Sequence, residues 1–211
     1  MSSTHDLFIA SMISTLSFVA PASAEQFMGK WVGAFGGIGL SSSSLMVEDI
    51  DYGSGAVKAE GSELSLLAGY NWQNGNLVFG PEFKFSSSSI EKDDGNYLRP
   101  FQYRSAAELR LKAGFSLSNF LPYIAVGKIF ANVSADHDNS GVAANAQREQ
   151  ISATSYAVGV DWQKSETLTL RVEFSQADYG DFSFDFSDGG DPHTANVSDQ
   201  KSIMFAAMMR F

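Results

Sequence analysis

Residues 63–85 read ELSLLAGYNWQNGNLVFGPEFKF, and the spacing within this stretch decides the fold. Leu64, Leu66, Ala68, Tyr70 and Trp72 share one face of an extended chain, with Ser65, Gly69 and Asn71 on the other. After Gln73-Asn74-Gly75-Asn76, the residues Leu77, Phe79, Phe83 and Phe85 stand opposite Gly80, Glu82 and Lys84. Period-two alternation on both sides of an Asn-Gly turn marks a β-hairpin. One of its faces is apolar, and the other carries charge.

The same pattern recurs in both directions. Candidate strands lie near 30–40, 63–72, 77–86, 104–115, 122–132, 153–162, 167–178 and 202–211, eight in all. The fourth sets Leu109, Leu111, Ala113 and Phe115 against Glu108, Arg110, Lys112 and Gly114. The seventh sets Leu168, Leu170, Val172 and Phe174 against Thr169, Arg171 and Glu173, and the eighth closes with Ile203, Phe205, Ala207, Met209 and Phe211 on one face. The fifth is less regular, since Lys128 shares a face with Ile124 and Val126.

Alternation alone leaves open which face points inward. With the apolar face inward the chain is a soluble sandwich or barrel; with it outward, the interior holds Glu82, Lys84, Glu108, Arg110, Lys112, Lys128, Asp161, Arg171, Glu173 and Arg210. The connections choose. Gln73–Asn76, Ser116–Leu121 and Gln163–Glu166 are short, whereas 41–62, 88–103, 133–152 and 179–201 run sixteen to twenty-three residues and are rich in Ser, Asp, Asn and Gly. Structureless loops that long are unusual in a compact soluble domain, but short turns on one rim and long loops on the other are the plan of an outer-membrane barrel. Aromatics near strand ends, Trp31, Trp72, Tyr123, Trp162 and Phe211, suit an interfacial girdle. The expected fold is therefore all-β: an eight-stranded antiparallel up-and-down transmembrane β-barrel with three short periplasmic turns and four long extracellular loops.

Residues 1–24 read separately. Leu7–Ala20 is an apolar run too short to span a bilayer, and Ala22-Ser23-Ala24 before Glu25 is a small-x-small cleavage site. This predicts a cleavable signal peptide over 1–24, with cleavage between Ala24 and Glu25, and a barrel domain over 25–211. The segment before the apolar run carries His5 and Asp6 but no Lys or Arg, a departure from such signals that leaves the start codon open. After it no apolar run approaches the about 18 residues of a membrane helix, whereas a strand needs only about 9–11.

Charge and composition narrow the function. A net charge of −10 argues against nucleic acid, and the absence of cysteine excludes disulfides and thiolate metal sites. The four long connections carry −3, −1, −2 and −4, placing the negative field on the outer rim, where divalent cations shared with lipopolysaccharide phosphates, or a basic partner, are candidate contacts. Asp136, Asp138 and Ser140 in the stretch Asp136–Gly141 follow the opening of a calcium loop, but Gln147 stands where the bidentate Glu belongs, so no metal site is expected. His137 beside Asp136, or His193 with Asp191, could activate a serine of the run Ser41–Ser44 only if the fold brings them together. No catalytic residue, cofactor or enzymatic activity is predicted.

With Trp31–Leu40 (WVGAFGGIGL), Leu67–Trp72 (LAGYNW), Pro122–Gly127 (PYIAVG), Tyr156–Trp162 (YAVGVDW) and the end Phe205–Phe211, the chain resembles the outer-membrane β-barrel superfamily of small eight-stranded proteins, the OmpA- and OmpX-like barrels and the porin-like surface antigens of alphaproteobacteria. The resemblance covers 25–211 and leaves no room for a peptidoglycan-binding domain after the barrel. It implies a monomer in the outer membrane of a Gram-negative bacterium with both mature termini periplasmic, outer-membrane lipid and lipopolysaccharide as surroundings, and Phe211 as the signal read by the barrel-assembly machinery. The function expected is structural or surface-interacting, without a wide pore. A lipid A-modifying enzyme and a narrow small-solute channel are the alternatives.

Overall fold

The computed structural model describes residues 29–49, 54–92, 99–136, 147–184 and 193–211; the expected signal peptide over 1–24 and its cleavage site lie outside them. Nine strand segments follow in order: β1 Gly33–Asp49, β2 Ser54–Asn74, β3 Leu77–Lys92, β4 Arg99–Phe115, β5 Phe120–Asp136, β6 Gln147–Gln163, β7 Leu168–Asp178, β8 Gly180–Phe184 and β9 His193–Arg210. β1 to β7 pair antiparallel in sequence order, β7 pairs with β9, and β9 returns to pair with β1. β8 continues β7 past Tyr179 without losing register along β9, for Ala177 faces Gln200 and Gly180 faces Val197. The nine segments therefore form the eight staves of a closed antiparallel barrel.

The short connections sit on one rim. Gly75 adopts φ +60° at the first of the two residues joining Asn74 to Leu77, the position that a II′ hairpin turn reserves for glycine. The turn is thus centred on Gly75-Asn76 rather than on Asn74-Gly75. The chain passes from β4 to β5 and from β6 to β7 through similarly brief turns, and Arg210 bonds the carbonyls of Lys30 and Glu166 at this same rim.

The strands are longer than their alternation foretold. β1 to β6 each run 16 to 21 residues, against the about 9–11 that cross a membrane. Half or more of each connection expected at 41–62, 88–103, 133–152 and 179–201 is therefore strand rather than loop. The reason is a change of phase. Near the turns the outward positions are apolar, such as Leu40, Leu64, Phe85, Phe174 and Ile203. Further along the same strands they become Ser42, Ser62, Ser87, Gln176 and Lys201, all exposed or nearly so. Inside that upper section lies a buried, mainly apolar cluster of Leu45, Ile90, Tyr103, Val133, Ile151 and Tyr179. The membrane section is apolar outside, and the upper section is apolar inside.

The girdle divides likewise. Trp72, Trp162 and Phe211 point outward, but Trp31 and Tyr123 are buried in the lumen. Outward exposure reaches 65% at Leu111 and 67% at Ile124 while Arg110 and Arg171 are 1% exposed. A surface with so many large exposed apolar side chains would associate in water, and it is the ordinary lipid face of a membrane barrel. Closure leaves no open edge, so the backbone of the staves pairs within the sheet as hydrocarbon demands.

Strand spacing inside so narrow a barrel leaves no room for some side chains. A methyl group on Gly80 would overlap the carbonyl oxygen of Tyr70 in the neighbouring strand. Gly80→Ala is expected to destabilise the barrel by about 1–3 kcal/mol, seen as a lower urea midpoint and a smaller fraction of the compact, unboiled band on gel electrophoresis.

Candidate functional site

The lumen of the membrane section holds the chemistry. Direct cross-strand neighbours supply its framework: Glu82 faces Arg110, Lys84 faces Glu108, and Asp161 faces Arg171. Each of these residues falls on the inward parity of its strand because the alternate positions carry the outward apolar groups. The space they need comes from glycines set beside them. Gly69 faces Glu82, Gly80 faces Lys112, Gly127 faces Arg110 and Gly159 faces Glu173.

Ion pairs then cross the barrel. Arg110 on β4 bonds Glu82 through Nε at 2.9 Å and clamps Glu173 of β7 with Nη1 and Nη2 at 2.8 and 2.7 Å. Arg171 of β7 reaches back to both oxygens of Glu82 at 2.7 and 2.8 Å and holds Asp161 with Nε and Nη2 at 2.6 and 3.0 Å. Bidentate geometry of this kind is the strong form of the guanidinium–carboxylate pair. Lys112 donates to Asp161 at 3.1 Å and lies 4.9 and 5.2 Å from the ring centres of Phe35 and Tyr123. Tyr123 in turn donates its hydroxyl to Glu173. One layer higher, Lys84 pairs with Glu108 at 2.7 Å, and Ser155 donates to the same carboxylate at 2.6 Å.

Four cations and four carboxylates thus form one connected, electrically neutral plug. Glu63 adds a further buried carboxylate above it, accepting a hydrogen bond from Ser43. It escaped the sequence reading, although it shares the inward parity of Ser65 and Asn71. The spaces left are small. A cavity of about 20 Å³ between Glu63, Lys84, Tyr103, Glu108 and Ser155, and another of about 20 Å³ between Trp31, Asn71, Lys112 and Asp161, each suit about one water.

Two residues assigned to the lumen from sequence are elsewhere. Lys128 is exposed on the outer face because it keeps the phase of Ile124 and Val126. Arg210 sits half-exposed at the turn-side rim, bonded to backbone carbonyls, and does not join the ion pairs. The same rim is closed from within by Trp31, Val78 and Leu121, with the Trp31 indole donating to Ser116 at 3.0 Å. At the other end Tyr103 and Tyr179 are 2.9 Å apart at their hydroxyls, and Tyr179 donates to Gln200 at 2.8 Å.

His193 is kept apart from the serine run. Ser43 faces Ser202 on β9, and His193 begins β9 nine residues further along, a separation of roughly 30 Å at the usual strand rise. Asp136 ends β5; His137, Asp138, Ser140 and Asp191 lie outside the described residues, as does the loop geometry a calcium site would need.

A closed eight-stave barrel with apolar exterior and paired charges within is the architecture of small outer-membrane proteins, and the sequence comparison agrees: the profile of the outer membrane protein beta-barrel domain matches residues 8–203. The chain belongs to this family of outer-membrane β-barrel proteins. It is 26% identical over 126 residues to a 22 kDa outer membrane protein of Rhizobium leguminosarum bv. viciae, an overlap of 59% of this chain and 56% of that relative. The chain thus matches little more than half the length of that curated relative. Among solved structures the outer membrane protein OprG from Pseudomonas aeruginosa superposes with a TM-score of 0.60 at 16% identity, covering 87% of this chain and 98% of that one. Neisserial surface protein A superposes at 0.52 with 12% identity, covering 85% and 99%. At such identities the outer-membrane barrels share the fold, and the side chains of the plug must be argued on their own geometry.

Glu82 is the hub, since it takes close ion pairs from both Arg110 and Arg171, whereas Glu173 is held closely by Arg110 and lies 3.8 Å from Arg171. Glu82→Gln is expected to cost about 3–5 kcal/mol, because it leaves buried guanidinium charge without its partner. Equilibrium urea unfolding of the refolded barrel in lipid vesicles, followed by Trp fluorescence, measures the loss.

Proposed function

We propose that this outer-membrane barrel is a non-conducting, non-enzymatic monomer that acts as a rigid pillar, holding the connections of its far rim clear of the cell surface and lending integrity to the membrane. The observation that carries this reading is the lumen, obstructed at three levels. Trp31, Val78 and Leu121 fill the turn-side end, the neutral ion-pair plug fills the middle, and the apolar cluster around Leu45, Tyr103 and Ile151 fills the upper section. Eight strands give an interior that side chains alone can fill. Solute passage would require parting bidentate pairs that span the lumen.

The orientation proposed places the short turns and both chain ends in the periplasm and the upper section outside the cell. Supporting it, the upper section has the polar exterior and mainly apolar interior of a body that stands in water, and short turns belong to the periplasmic side in barrels of this kind. Acidic residues gathered on the outer connections then face the lipopolysaccharide layer. Lipopolysaccharide and the barrel-assembly machinery, the latter reading Phe211, are the partners this placement implies.

Two measurements test the reading. In planar bilayers the refolded protein is expected to give no steady conductance; regular open-channel steps would replace the pillar with a narrow channel. Since the chain has no cysteine, single cysteines report topology directly. A membrane-impermeant maleimide added to whole cells is expected to label Lys58→Cys in the upper section and to reach Lys164→Cys in a short turn only after lysis. The reverse pattern would invert the barrel.

A further inference from the structure

The lipid-facing wall is not uniform. Across β2 to β6 the outward side chains part to leave an apolar groove of about 560 Å³, walled by Trp72, Phe79, Leu111, Ile124 and Tyr156 with Ala113 at its floor. Ala113 faces Phe79 on one side and Ile124 on the other, and Val126 faces both Leu111 and Tyr156, so the groove follows the hydrogen-bonding direction across neighbouring strands. From β2 to β6 is four strand spacings, about 19 Å. That is the reach of one extended saturated chain of about fourteen carbons.

At the upper end of the groove stands the misplaced cation. Lys128 is two residues above Val126 on the same outward face, about 7 Å along β5, and its neighbour on β6 is Thr154, itself exposed two residues above Tyr156. Thr154 belongs to the level at which the outward face turns polar, along with Ser42, Ser62, Ser87 and Gln176. A lysine here reaches the headgroup layer by extending its stem along the apolar wall. Phosphate is the group of the outer leaflet that an ammonium at this depth is placed to meet, and the acyl chain below it has a groove to lie in.

We infer that the groove and Lys128 together form a lipid site, occupied by one lipid A moiety of lipopolysaccharide with an acyl chain across Ala113 and a phosphate on the Lys128 ammonium. The inference rests on the orientation proposed above, which puts Lys128 toward the outer leaflet. A single lysine at a membrane surface adds about fivefold to the affinity for an anionic lipid. The groove adds selectivity for a straight chain, since its floor is a methyl group between bulky walls.

The test uses the mature barrel folded in mild detergent, titrated with purified lipid A and followed by native mass spectrometry and by Trp fluorescence, with Trp72→Phe as the fluorescence control. One lipid A per barrel is expected, with saturable binding weakened about fivefold in Lys128→Gln. Ala113→Phe, which fills the groove from its exposed floor, is expected to abolish the one-to-one species. Both variants point to lipid, so the heat-modifiable band should be unchanged and confirms that each has folded. Unsaturable binding, equal binding by Lys128→Gln, or equal competition by phosphatidylethanolamine would overturn the site. Cysteine labelling of whole cells reads orientation separately: an inverted barrel that still bound lipid A in detergent would sink the topology and spare the groove, whereas a correctly oriented barrel without one-to-one binding would do the opposite.

Discussion

A sheet closed on eight strands encloses a lumen only a few side chains across, and hydrocarbon outside requires the closure because an open edge would leave backbone groups unpaired. Much of the structure follows from these two facts. Every inward position competes for the same narrow space, so large charged residues sit opposite glycine: Glu82 beside Gly69, Arg110 beside Gly127, Glu173 beside Gly159. Every inward charge is far from bulk water, so each must find a partner within the lumen. The four cations and four carboxylates of the plug balance as a result, and the bonds that join them run from β3 and β4 to β6 and β7.

The strands outlast the membrane, and their chemistry inverts where they leave it. Below the ring of Ser42, Ser62, Ser87 and Thr154 the solvent outside is lipid, and the polar groups turn inward. Above that ring the solvent is water, and Leu45, Ile90 and Ile151 turn inward instead. One continuous antiparallel ladder carries both arrangements. The hydrogen-bonded backbone is indifferent to which face is polar, and the side chains alone record which solvent each level meets.

That inversion also explains how much was legible in the sequence. The eight staves, the three turns and most of the lumen charges followed from period-two spacing, because in the membrane section the two faces differ as sharply as Phe83 differs from Glu82. Above it the contrast is between serine outside and small or mixed residues inside, as in Ser41–Leu45, so the alternation fades into what reads as a loop. Charge alone assigns Lys128 inward, although its phase with Ile124 and Val126 points outward; phase is the better guide, since a one-residue slip would turn every side chain of the strand over. Glu63 lay on a polar face already identified. The groove over Ala113 was beyond reach, for it depends on which residues of four neighbouring strands stand side by side.

The plug raises a question of energy. A buried ion-pair network is often no more stable than well-packed apolar residues of the same volume, so stability alone gives no reason for keeping charges in the lumen. Delivery gives one. If Glu82, Lys84 and the inward polar residues of β2 were apolar, the hairpin over 63–85 would become a largely apolar stretch of about twenty residues broken only at the turn Asn74-Gly75-Asn76 and at Pro81, close to the length taken as a membrane helix. Such a segment would stop in the first bilayer it met. Charges at alternate positions hold each strand below that threshold while the chain is extended, and they lose their cost only when closure brings Arg110 and Arg171 onto Glu82. The lumen network is then a condition of reaching the outer membrane as well as of filling the barrel once there.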